Sequence, residues 1–113
     1  MASSDIDDVL LTADQWVAKG RQVALVTIIE AWDQAPHPAG SLLAVDGDGD
    51  GETIGSISEG LIEEPVLAEA LKTIGDQEPR LLSFQISDEM AAEKGCETGG
   101  DIRLFVEPIE VEG

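Results

Sequence analysis

Gln22-Val23-Ala24-Leu25-Val26-Thr27-Ile28-Ile29-Glu30-Ala31 is the stretch on which the fold turns. Its residues are β-branched or apolar almost throughout, which suits a central strand. Upstream, 5–19 reads as an amphipathic helix. Ile6, Val9, Leu10, Ala13, Trp16 and Val17 recur at three- and four-residue spacing and share one face. Ser4 can cap its start, the nearby aspartates suit its positive end, and Gly20 can end it in a left-handed turn. Downstream, Pro36 and Pro38 break regular structure.

Ser41 to Val45 and Thr53 to Ser56 read as two strands joined by Asp46-Gly47-Asp48-Gly49-Asp50-Gly51-Glu52, whose alternating Asp and Gly favour a hairpin loop. A helix follows over Leu61 to Ile74, with Pro65 tolerable only in its first turn. Leu67, Ala70, Leu71 and Ile74 form its expected buried stripe and Gly75 its stop. Arg80 to Ser87 and Asp101 to Glu107 read as further strands, with a short helical turn near Asp88 to Ala92 and a Gly-rich loop between them. These elements predict an α+β fold: one domain over 1–113, with two main helices on a mixed or antiparallel sheet of about five strands.

Composition narrows the function. The chain has 113 residues, 6 Lys+Arg against 24 Asp+Glu, and a net charge of −18. Nucleic-acid binding is excluded as a class, because it relies on Lys and Arg to neutralise phosphates. Anionic membrane surfaces are disfavoured by the same repulsion, and no apolar run approaches the ~18–20 residues of a span. The N-terminal Met1 to Asp8 lacks the basic residues of a secretory leader, and Cys96 is the single cysteine. A reducing, cytoplasmic setting is expected.

Several local motifs invite chemistry. Asp46, Asp48, Asp50 and Gly51 match the first half of a calcium loop, but Thr53 and Ile57 occupy positions that need an apolar residue and a bidentate Glu. A small calcium module through Asp46–Glu52 therefore stays a remote alternative to a solvated hairpin tip. Ser58 with Gly60 echoes half of a nucleophile elbow, yet Ser56 stands where a glycine is required and His37, between two prolines, is the one histidine. No catalytic constellation is complete, and an enzyme is not expected. Nor does one cysteine make a metal site. Gly55-Ser56-Ile57-Ser58-Glu59-Gly60, opening into a helix, could present backbone N–H groups to an anion; the plainer reading is a strand-to-helix turn with Ser58 as N-cap.

Taken together, four blocks from about Val23 to Pro108 resemble the N-terminal domain of the xanthine dehydrogenase accessory factor family (XdhC/CoxI). The family's apolar strand and Ser-x-Pro-Arg-x-x-Gly turn correspond to Gln34-Ala35-Pro36-His37-Pro38-Ala39-Gly40 and the strand Ser41 to Val45. Its Gly-Ser-Val-Ser-Gly-Gly-Cys-Val-Glu corresponds to Gly55-Ser56-Ile57-Ser58-Glu59-Gly60-Leu61-Ile62-Glu63, and its Pro-Arg-Leu-Leu to Pro79-Arg80-Leu81-Leu82. Its closing Cys-Gly-Gly motif corresponds to Thr98-Gly99-Gly100, running on through Asp101-Ile102-Arg103-Leu104-Phe105-Val106-Glu107-Pro108.

The resemblance implies maturation of molybdenum hydroxylases of the xanthine or carbon monoxide dehydrogenase type, by binding molybdenum cofactor (molybdopterin) or helping to deliver it. The implied cofactor-binding residues are His37, Ser56, Ser58, Glu59, Gly60, Glu63, Thr98, Gly99 and Gly100, provided the two glycine-bearing bends meet. The implied partners are an apo-molybdenum hydroxylase and a longer XdhC-like protein, with homo- or hetero-dimerisation open. Departures from the pattern are specific. Leu61 and Thr98 replace the family cysteines, His37 an arginine and Glu59 a glycine, and the Rossmann-type domain has no counterpart in these residues. The alternative is thus a non-catalytic partner subunit of a full-length relative, with no cofactor binding of its own.

Overall fold

The computed structural model describes residues 6–33, 35, 37–47, 52–55, 62–93 and 95–109. Element order is α1 (Ile6–Ala18), β1 (Val23–Glu30), β2 (Leu42–Asp46), β3 (Thr53–Gly55), α2 (Glu63–Asp76), β4 (Arg80–Ile86), α3 (Asp88–Glu93) and β5 (Gly100–Ile109). The strands form one sheet in the order β3-β2-β1-β5-β4, with every pairing antiparallel. The expected α+β fold is observed. β1 sits at the centre, with Val26 opposite both Leu43 and Val106. Its register with β5 shifts between Ile28 and Glu30, so Ile29 marks a bulge.

Alternation along the strands sends side chains to two faces. Ala24, Val26, Ile28, Leu43, Val45, Ile102, Leu104 and Val106 meet Ile62, Val66, Ala70 and Ile74 of the α2 segment, forming the larger core. On the other face Val9, Ala13 and Trp16 of α1 pack on Val23 and Ala44. α1 covers only the β1–β2–β3 side of that face, leaving Ile29 and Leu81 exposed beyond it.

Two expected stripes need rotation. Leu10 on α1 and Leu71 on α2 are 44% and 42% exposed. α2 begins at Glu63, two residues later than expected, so its buried line runs through Val66, Ala70, Thr73 and Ile74. Pro65 lies in the first turn, where its missing N–H costs no helical bond. Gly75 does not stop the helix. The left-handed residue is Gln77, φ 60, whose N–H bonds the Thr73 carbonyl at 2.7 Å. α1 ends as its sequence predicts: Gly20 takes φ 81, donates to the Val17 carbonyl at 2.9 Å, and Arg21 donates to Trp16 at 3.0 Å, closing a Schellman motif.

The two antiparallel ends of the sheet differ in character. At one end Arg21 is ion-paired with Asp46, whose side chain is fully buried. At the same end Arg80, opening β4, holds the last turn of α2: it donates to Asp76 Oδ2 at 2.6 Å, Thr73 Oγ1 at 3.0 Å and the Glu78 carbonyl at 3.2 Å. Gly47 lets the hairpin root approach closely, since a Cβ there would lie 2.7 Å from Ile74 Cδ1.

The two helix ends predict opposite effects. Gly20→Ala, forced into a positive φ, should cost about 1 kcal/mol in urea unfolding. Gln77→Gly should add roughly 0.5–1 kcal/mol by relieving the same conformation. The Arg80 contact gives a pH signature. Hydrogen bonds from Arg80, then from the Glu78 N–H, lower the Asp76 carboxyl from 3.8 to about 2. A depressed carboxylate stabilises the fold above its unfolded value and loses that contribution as pH falls through its folded one. Asp76→Asn should therefore lower Tm at neutral pH, and the difference from wild type should close as pH approaches about 2.

Candidate functional site

Antiparallel pairing carries the C-terminal ends of β1, β3 and β4 and the N-terminal ends of β2 and β5 to the end of the sheet away from Arg21 and Arg80. Gly55 ends β3 there, and Gly100 opens β5 there, opposite Ile86. The two are three strand spacings apart, about 14 Å before twist. His37 sits half-buried in the β1–β2 connection at this end, and α2 starts at it. Ser56, Ser58, Glu59 and Gly60 lie outside the described residues, as do Asp48 and Asp50 of the hairpin loop.

What the described residues present here is built for packing. Trp32, just beyond β1, lays its side chain on Gly100: an added Cβ would lie 2.8 Å from Trp32 Cγ. The indole Nε1–H donates to the Thr98 carbonyl at 2.8 Å. Gly99 approaches β4 so closely that a Cβ would lie 2.7 Å from the carbonyl carbon of Ile86. Its N–H donates to Asp88 Oδ1 at 2.8 Å. Both glycines are thus demanded by neighbours inside the fold, and the Gly99 amide already has a carboxylate on it.

The start of α2 is equally poor in free donors. Ile62 occupies the N-cap position with no side-chain cap. Ser58, the expected cap, lies outside the described residues. Pro65 has no N–H, and the Val66 N–H bonds the Ile62 carbonyl at 3.0 Å, which leaves the amides of Glu63 and Glu64. Glu64 is acidic, a favourable match to the helix dipole and an unfavourable one to an incoming anion. An open concavity of about 490 Å³ beside Gly99 and Gly100 is lined also by Gln85, Ile86, Ser87, Asp88 and Asp101. Its two carboxylates oppose a phosphate.

Among the described residues, no group of three His, Cys, Asp or Glu side chains is arranged to hold a metal. Asp46, the first ligand a calcium loop would need, is the buried partner of Arg21. No helix is long and apolar enough to cross a membrane among the described residues.

A family model, described as the XdhC and CoxI family, matches residues 16–85. The chain belongs to the XdhC and CoxI family. The match starts in α1 and ends in β4, so β1, β2, β3 and all of β4 but Ile86 lie within it, and β5 lies beyond it. The uncharacterized protein YqeB of Escherichia coli (strain K12) is 25% identical over 83 residues, 74% of this chain and 15% of YqeB. A crystal structure described as a xanthine dehydrogenase from Bacillus halodurans superposes with a TM-score of 0.71 at 20% identity, over 90% of this chain and 30% of that one. This likeness is one of fold. The chain spans less than a third of the length of either relative.

Sequence reasoning missed Trp32 and Asp88. The signal for Trp32 was present: a large aromatic directly after a central strand must find cover, and a glycine pair elsewhere offers a flat surface for it. Gly100→Ala should cost about 1–3 kcal/mol by overpacking against the indole. In a Trp32→Ala background the same change should cost much less, so a double-mutant cycle followed by circular dichroism should give a clear coupling energy.

Proposed function

We propose that this chain acts in the maturation of molybdenum hydroxylases of the xanthine or carbon monoxide dehydrogenase type, as an accessory protein that helps deliver molybdenum cofactor to the apoenzyme in the cytoplasm. The observation that carries the reading is the family match over residues 16–85. No reaction is assigned to the chain itself.

One set of observations favours a particular form of this role. The described residues at the glycine-bearing end do not fit a phosphorylated pterin on their own. The Gly99 amide faces Asp88, Gly100 is filled by Trp32, and the first turn of α2 carries Glu64. Arg21 and Arg80 are held at the other end of the sheet in ion pairs. With −18 overall, the chain repels a free anionic ligand before contact. We therefore place the chain beside a longer family member, which supplies the cofactor-holding groups, rather than as an independent carrier.

Affinity purification of the tagged chain from its own cells, followed by mass spectrometry for proteins, pterin and molybdenum, tests this. The expected result is a longer XdhC-type protein in near-stoichiometric amount, with pterin present only when that protein is. Deleting the gene should lower molybdenum hydroxylase activity while leaving the apoenzyme's abundance intact. Saturable molybdopterin binding by the isolated chain would instead establish direct carriage. Full hydroxylase activity in the deletion strain would overturn the maturation role.

A further inference from the structure

The outer edge of β4 is where the sheet stops. Among the described residues β4 pairs only with β5, in unbroken register from Arg80 opposite Val106 to Ile86 opposite Gly100. A strand edge offers a row of N–H and C=O groups to any other strand, and soluble proteins blunt such edges with lysine, proline, bulges or brevity. β4 uses none of these. It is 7 residues long; its one charge, Arg80 at the N-terminal end, is ion-paired with Asp76 and Glu69 of α2, and Leu81 to Ile86 contains no charge and no proline in a chain with 24 acidic residues. The opposite edge, β3, is 3 residues long.

We propose that β4 pairs with β4 of a second copy, antiparallel about a two-fold axis through Ser83, joining two sheets into one. The inference is independent of the maturation role. The strand is self-complementary in that register. Toward the α2 face, Leu82 of one copy falls opposite Phe84 of the other, and both are half-buried residues already packed on the core that extra cover would bury further. Toward the open face, Leu81, 55% exposed, falls opposite Gln85, and Ser83 opposite itself. Within β4 itself no carboxylate meets a carboxylate; the same register brings Glu78 opposite Asp88 just beyond each end of the strand, where both are exposed to screening solvent. Asp101, paired with Gln85, stands one strand back. For two molecules of charge −18, Leu81 to Ile86 is a stretch that can make contact without like charges touching inside the strand. The remaining long-range repulsion is of the kind that salt screens.

Sedimentation equilibrium of the intact chain, over a wide concentration range at low and high NaCl, tests the proposal. A monomer–dimer equilibrium is expected, with association strengthened on the order of tenfold by salt. Ser83→Lys and Ser83→Glu each place like charges opposite one another on the axis, so both should weaken the dimer while circular dichroism stays unchanged. In a Cys96→Ser background, Ser83→Cys should form a disulfide-linked dimer under mild oxidation, because directly opposed residues of paired strands lie within disulfide reach. Leu11→Cys, at a position 58% exposed on α1, should not. A monomer under all conditions would overturn the proposal. So would Lys and Glu variants that shift association in opposite directions, equal cross-linking at the two cysteine positions, or a different chain seated on β4.

Discussion

The fold depends on the pairing of β1 with β5, strands from opposite ends of the chain. Val23 to Glu30 and Arg103 to Ile109 lie side by side at the centre of the sheet, and both larger structural decisions follow from this. First, α2 finds its groove over these two strands, where Val66, Ala70 and Ile74 meet Val26, Ile28, Leu104 and Val106. Second, among the described residues β4 pairs only with β5, so its place in the sheet exists only once β5 is in place. The β1–β5 seam is a non-local contact that must repay the loop-closure entropy of nearly the whole chain. Fully buried Val26, Ile28, Leu104 and Val106 are the residues that repay it.

Much of this architecture was legible in the residues. The apolar run around Val26, the Asp/Gly hairpin after β2, the glycine stop of α1 and the closing Ile102-to-Val106 strand are all local patterns with a local physical cause. The errors have tertiary causes. Leu10 and Leu71 are apolar at helical spacing yet exposed, because a helix face is chosen by what it packs on and not by its own periodicity. Gly75 is a natural helix stop, but Arg80 fastens Asp76 and Thr73 from the next strand and carries the helix past it. Such a contact is invisible until the strand's position is known.

The glycine-bearing end illustrates a sharper limit. Gly99-Gly100 in a loop suggests a backbone cradle for an anion, and small residues do permit close approach. What approaches is the protein itself: the indole of Trp32, the carbonyl of Ile86 and the carboxylate of Asp88. A glycine pair in a sequence announces that something comes near without saying whether it is a ligand or a neighbour. Of the departures from the family pattern, His37 and Thr98 fall in segments at this end, and Glu59 and Leu61 lie outside the described residues. The ion pairs of Arg21 and Arg80 gather at the other end.

The strand order β3-β2-β1-β5-β4 also sets a timetable for synthesis. As the chain leaves the ribosome, α1, β1, β2 and β3 can assemble early through neighbouring contacts. The second side of β1 then waits, apolar and hydrogen-bond-hungry, until β5 has emerged. β4 arrives before the strand that will carry it. The nascent protein thus passes through a stage with its central strand half-open, when aggregation competes with completion. A net charge of −18 opposes that aggregation by mutual repulsion.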